Sequence, residues 1–166
     1  IIGYKNICCC RLFSRKGKSM KVKIKKLCKS AKTPTRGSEY ACGYDAYACI
    51  EDGNTVTIAP HKTVKIGLGI CLQPEEGYYV GIYARSGLST KEGLRPANCV
   101  GICDEDYRGE YMVALHNDSD TPRIVQDGER IAQLVVHKRY DMEFEEVDAL
   151  EDTDRGEGGF GSTGKN

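Results

Sequence analysis

Short runs rich in β-branched and aromatic residues recur along the chain between turn signals, and the first of them alternates apolar and polar residues with a period of two, the pattern of a strand that buries one face and wets the other. Lys21-Val22-Lys23-Ile24-Lys25 opens the series. Thr55 to Ile58, Thr63 to Ile66, Tyr78 to Tyr83, Tyr111 to Leu115, Arg130 to His137 and Glu143 to Val147 continue it. Between these runs lie Glu51-Asp52-Gly53-Asn54, Pro74-Glu75-Glu76-Gly77, Asn117-Asp118-Ser119-Asp120 and Gln126-Asp127-Gly128, residue types that favour turns. Short strands at this spacing predict an all-β sandwich or barrel, and only Ser86 to Gly93 reads as helix, of one or two turns. The expected organisation is a basic leader over 1–19, disordered or foreign to the fold, a β-body over 20–150, and a flexible Gly-rich C-terminal lid over 151–166.

A chain of 166 residues with 40% hydrophobic side chains has material for one core, and no apolar run is long enough for a membrane helix. The formal net charge of zero conceals a division. Half of the 24 Lys and Arg residues precede Glu39, whereas all 24 acids lie from Glu39 onward, so an acidic body follows a basic arm. Such an arm could contact nucleic-acid phosphates, while the acidic body speaks against nucleic acid as a partner of the remainder. Of nine cysteines, three are in the leader. The others, Cys28, Cys42, Cys49, Cys71, Cys99 and Cys103, form no C-x-x-C pair and have no histidine at ligand spacing. They are expected as reduced, mostly buried side chains of a cytoplasmic protein. His61, His116 and His137 are scattered, which indicates neither a zinc site nor a histidine triad.

The last twelve residues, Arg155 to Asn166, hold five glycines together with one arginine and one phenylalanine. Glycine loses the most backbone entropy on ordering, so this stretch is expected to settle only over a ligand. Arg155 offers a planar fork for phosphate and Phe160 a flat face for a ring, a combination that suits a nucleotide. Gly159 to Lys165 reads G-x-x-x-x-G-K, but no strand precedes it, no helix follows, and Asn166 stands where a P-loop needs Ser or Thr.

Three further clusters can carry chemistry. Gly101-Ile102-Cys103-Asp104-Glu105-Asp106-Tyr107-Arg108-Gly109 reads as a β-hairpin whose tip presents backbone groups to a base edge, with Asp104 or Asp106 placed to orient a water. Arg85-Ser86-Gly87, between a strand and the short helix, suits a polyphosphate. Gln133, in the apolar run Ile131 to Leu134, needs a polar partner, either a ligand or a neighbouring backbone group.

In this order and spacing the pieces resemble the trimeric deoxyuridine triphosphate nucleotidohydrolases (dUTPases). The five motifs stand as Ala41 to Tyr47, Ala84 to Leu88, Asn98 to Gly109, Gly128 to Leu134 and Arg155 to Gly164, and the likeness covers Met20 to Asn166. Ala84 replaces a common proline, Cys42 an alanine or glycine, and Cys103 an aliphatic residue before the aspartate. The resemblance implies a β-clip or distorted jelly-roll-like barrel, a homotrimer with shared sites, and hydrolysis of dUTP to dUMP and pyrophosphate by water attack at the α-phosphorus. It implies Asp104 as the general base, Asn98 and Gly101 around the uracil, and Tyr107 under the deoxyribose. Arg85, Ser86, Gly87 and Gln133 would hold the α- and β-phosphates, Arg155 the γ-phosphate, and Phe160, Gly161 and Ser162 would close the site. Asp45 would orient an arginine or backbone group, and Mg2+ would be held by the substrate phosphates rather than by protein ligands. A dCTP deaminase of the same fold and a non-catalytic dUTP-binding regulator are the competing readings.

Overall fold

The computed structural model describes residues 19–50 and 53–159. Twelve strands and one helix follow in chain order: β1 (Lys23–Lys26), β2 (Thr35–Arg36), β3 (Tyr44–Tyr47), β4 (Thr55–Ile58), β5 (Thr63–Gly67), β6 (Ile70–Gln73), β7 (Tyr78–Tyr83), α1 (Ser86–Glu92), β8 (Leu94–Pro96), β9 (Val100–Cys103), β10 (Met112–Asn117), β11 (Arg123–Gln126) and β12 (Arg130–Lys138). The all-β expectation holds, with its single short helix. Among the described residues no closed barrel forms. The strands divide into four antiparallel groups, β2-β3-β12-β7-β9, β5-β10-β8, β1-β6 and β4-β11.

Alternation determines which residues enter the core. In β10, Val113, Leu115 and Asn117 point inward, and in β12 Ile131, Ala132 and Leu134 are buried across a bulge between Arg130 and Ala132. With Ile58, Ile66, Leu68, Ile70, Val80, Val125 and Tyr111 these side chains make one continuous core. Asn117 is fully buried. Its amide donates to the carbonyls of Ile58 (3.0 Å) and Thr121 (2.8 Å), and its oxygen accepts from the Ser119 amide (2.9 Å), so a buried polar side chain is satisfied.

Two local expectations are corrected. Gly101 to Gly109 does not close as a two-stranded hairpin, because β9 pairs with β7 whereas β10 pairs with β5 and β8, and the stretch crosses between sheets. Glu143 to Val147 is not a strand, and Tyr140, Met142, Phe144, Val147 and Leu150 along that segment are all exposed. Phe144 and Val147 give it apolar positions, but among the described residues no strand edge pairs with it. The cysteines also depart from expectation: only Cys103 is buried, while Cys28, Cys42 and Cys99 are exposed and Cys49 and Cys71 half-buried.

Candidate active site

β9 is an edge strand of the five-stranded sheet, and beyond it the outward face of β5 and β10 closes a cleft of about 280 Å³. Asn98, Gly101, Asp104 and Tyr107 all line this cleft, with Ile82, Lys65 and Met112. Gly101 must be small here. A Cβ on it would come within 3.2 Å of the Ile82 Cβ and 3.3 Å of the Asn98 amide nitrogen, so any side chain would displace the asparagine. Tyr107 is fixed by its hydroxyl, which donates to the Glu110 carbonyl (2.9 Å), and by its ring, which lies 5.9 Å from that of Tyr111. Gly109 leaves the room that this ring occupies.

The three successive acids of the segment are sorted by their surroundings. Glu105 is committed to the scaffold, accepting from the Gly77 amide (2.9 Å) and pairing with Arg139 (3.3 Å). Asp106 does not line the cleft and Asp104 does, a distinction that spacing along the chain left open. The Asp104 carboxylate is exposed and accepts no hydrogen bond among the described residues, which leaves its oxygens available to water. Behind it Cys103 is buried, and burial pushes its thiol up to about 11. The Tyr111 hydroxyl nearby is fully buried and has no hydrogen-bond partner among the described residues, and burial raises its pKa as well.

A second cluster centres on Asp45 in β3, which is only 4% exposed. A buried carboxylate requires counter-charge, and three side chains supply donors. Arg85 Nε donates to Oδ1 (3.0 Å), Arg130 Nη1 to Oδ2 (3.2 Å) and Gln133 Nε2 to Oδ1 (3.4 Å). Arg85 Nη1 also donates to the Arg130 carbonyl (3.0 Å), so its guanidinium is held in one plane while Nη2 stays unpaired among the described residues. Gln133 thus finds its polar partner in Asp45, and Gly43 packs behind it. Arg85 stands in extended conformation at the start of α1, where Ser86 and Gly87 are exposed. A Cβ at Gly87 would meet nothing, so the chain's own packing does not demand glycine there. Arg130 was not foreseen as part of the site. The available signal was Asp45 itself, an acid within an apolar strand.

The sheet register puts Gly101 and the Asp45–Gln133 row on different faces, while Ile102, which also lines the cleft, falls on the face of that row. Asp45 lies opposite Gln133, Gln133 opposite Tyr83, and Tyr83 opposite Val100, which places this row on one face. Gly101 lies opposite Ile82, and Ile82 opposite Leu134, on the other face. None of Arg85, Ser86, Gly87 or Gln133 lines the cleft. Arg155 is in neither cluster: it lies in an exposed turn with its Nε donating to the Gly158 carbonyl (2.8 Å). Phe160, Gly161 and Ser162 lie outside the described residues. Among the described residues no group of three or more His, Cys, Asp or Glu side chains is arranged to hold a metal ion, and no helix is long and apolar enough to cross a membrane.

Comparison with known proteins bears on both clusters. A deoxyuridine 5'-triphosphate nucleotidohydrolase of Helicobacter pylori (strain P12) is 46% identical over 145 residues, covering 87% of this chain and 97% of the relative. Among solved structures, a mutant of the Staphylococcus bacteriophage 80alpha dUTPase with dUpNHpp superposes with a TM-score of 0.77 at 27% identity, covering 87% of this chain and 98% of that one. A mutant dUTPase from phage phi11 of S. aureus, whose structure concerns the coordination of a structural Mg(II) ion, shares the fold with a TM-score of 0.70 at 21% identity, covering 80% of this chain and 99% of that one. The dUTPase family model matches residues 29–164, which spans the cleft, the arginine cluster and the glycine-rich tail, and the chain belongs to the dUTPase family.

Proposed function

We propose that the chain hydrolyses dUTP to dUMP and pyrophosphate, limiting uracil entry into DNA and supplying dUMP for thymidylate synthesis, with Asp104 holding and deprotonating the water that attacks the α-phosphorus. The observation that carries this reading is the cleft at the β9 edge, where the free carboxylate of Asp104 stands beside Asn98, Gly101 and Tyr107. Asn98 and the backbone around Gly101 give a uracil edge fixed polar partners. The Tyr107 ring, tied back at its hydroxyl, offers a flat support for the deoxyribose. A positioned base of this kind contributes about 10²–10⁴ in rate. The electrostatic part falls to Arg85, whose plane is set by Asp45, with Ser86, Gly87 and Gln133 beside it. Arg155 would then grip the γ-phosphate while Phe160, Gly161 and Ser162 close over the base and exclude water.

None of Arg85, Ser86, Gly87 or Gln133 lines the cleft that holds Asp104, which supports a homotrimer in which different copies complete each site. The exposed apolar side chains of Tyr140, Met142, Phe144, Val147 and Leu150 support an arm that lies on a neighbouring copy. Magnesium enters as part of the substrate. It prefers phosphate oxygens and retained waters, which fits a chain whose described residues hold no trio of ligating side chains. The leader over 1–19 is dispensable in this reading, and the enzyme works in the cytoplasm.

Two measurements test the proposal. Pyrophosphate release with magnesium should be fast for dUTP and weak for dTTP, UTP and dCTP; intact dUTP would overturn the assignment, and ammonia from dCTP would make the chain a deaminase. Mixing Asp104→Asn subunits with Arg85→Ala subunits after dissociation should restore part of the activity through hybrid sites. Two inactive parents giving an inactive mixture would show that each site is built within one copy.

A further inference from the structure

After β1 the chain turns so that Cys28 comes back onto the segment that follows β3. Its Sγ lies 2.7 Å from the Sγ of Cys49, and the Ser30 hydroxyl stands 3.3 Å from the first sulfur and 3.6 Å from the second. The backbone enforces this approach. The Leu27 amide donates to the Gly69 carbonyl (2.8 Å) and the Cys49 amide to the Gly67 carbonyl (2.9 Å), so both thiols hang from the connection between β5 and β6. Gly69 has a φ of +64°, and a Cβ there would lie 2.6 Å from the Cys49 sulfur. Glycine at that position therefore makes the space that the thiol pair uses. Cys42, Cys71, Cys99 and Cys103 have no second sulfur within hydrogen-bond distance among the described residues.

The pair is asymmetric. Cys28 is exposed and Cys49 half-buried, so a reagent in solution reaches the first more readily than the second. Hydrogen bonding from Cys49, and then from Ser30, holds the Cys28 thiol below its usual range, while burial pushes the Cys49 thiol up.

We propose that Cys28 and Cys49 form a reversible oxidation site for small disulfides of the glutathione class, with Cys28 attacking and Cys49 resolving. In the first step the Cys28 thiolate, its proton lost to solvent, attacks one sulfur of the small disulfide and expels one small thiolate, leaving a mixed disulfide. In the second the Cys49 thiolate attacks the Cys28 sulfur and expels the other small thiolate, closing the protein disulfide. Two protein thiols are oxidised, one small disulfide is reduced to two thiols, and the two protons released from the cysteines end on those products. The new bond joins positions 21 residues apart and staples the turn after β1 to the strand region carrying Asp45. By its constraint on the unfolded chain it should raise Tm by roughly 6–12 °C.

The test uses the full chain, reduced and then incubated with oxidised glutathione, followed by alkylation of remaining thiols, peptide mass spectrometry and thermal unfolding. A linked Cys28–Cys49 peptide, alkylated Cys42 and Cys99, and a rise in Tm reversed by dithiothreitol are expected. Cys49→Ser should trap one glutathione on Cys28, and Cys28→Ser should leave Cys49 unmodified with no rise in Tm. Glutathione spread equally over the exposed Cys42 and Cys99, or a linked peptide without any change in Tm, would overturn the proposal. None of these readouts depends on dUTP turnover.

Discussion

Replacing Asp45 with asparagine keeps the side chain's shape, removes its charge and sets an amide donor against guanidinium donors. The carboxylate is 6% exposed and accepts from Arg85 at 3.0 Å, Arg130 at 3.2 Å and Gln133 at 3.4 Å. The three contacts are unequal. Arg85 is 25% exposed, and its charge-assisted bond is worth about 1.5–3 kcal/mol. Arg130 is 52% exposed, so water screens its pair to about 0–1 kcal/mol, and the long Gln133 contact adds little. The unfolding free energy of Asp45→Asn should therefore fall by about 2–3 kcal/mol in urea denaturation. Because Arg85 loses the bond that sets its plane, kcat/KM for dUTP in a pyrophosphate-release assay should drop ~10–100-fold. A double-mutant cycle with Arg85→Met should return a coupling of about 1–2 kcal/mol, since each residue is the other's main partner. The reasoning fails if Asp45→Asn unfolds within about 0.5 kcal/mol of the parent and turns over dUTP within twofold of it.

Asp104→Asn should still bind dUTP, measured by calorimetry, while turnover falls by at least ~10²; near-normal turnover would move the base elsewhere. Gly101→Ala should raise KM for dUTP several-fold with the fold retained by circular dichroism, because its Cβ crowds Ile82 and Asn98 at 3.2 and 3.3 Å, and an unchanged KM would show that Asn98 is not held by that contact. Cys103 has a folded pKa of about 11 against an ordinary 9.0, so the folded state keeps a proton that the unfolded state loses. Its contribution is complete below pH 9 and is lost as pH rises toward 11, a fall of about 1–3 kcal/mol in the unfolding free energy from urea denaturation that Cys103→Val should abolish. Truncation after Asp154 should lower kcat sharply and leave the size-exclusion profile unchanged; full activity would remove Arg155 and Phe160 from the mechanism.

Several elements were legible because their signal is local. β4 and β7 match their β-rich runs end to end, and β5, β10 and β12 differ from theirs by one to three residues. α1 coincides with the one helical stretch and ends on a left-handed Gly93. β6 and β11 went unread. Ile70-Cys71-Leu72 is a continuous apolar run, and Arg123 to Gln126 follows directly on a turn, so neither shows a clean period of two. The segment 143–147 has apolar residues typical of a strand without being one, because a strand exists only where another edge pairs with it.

Side-chain alternation and turn chemistry depend on neighbours a few residues apart, so the chain alone determined an all-β body, one short helix and the residue types of every motif. Pairings across 40 and 85 residues, Asp45 with Arg85 and with Arg130, follow from tertiary packing, as does the meeting of Cys28 with Cys49. The course of the chain beyond β9 decided that Asp104 lines the cleft while Glu105 is tied to Gly77 and Arg139, and register decided that Gly101 and Gln133 take opposite faces. A one-residue slip would exchange those faces without altering any local pattern, and only packing of the whole core selects between the two.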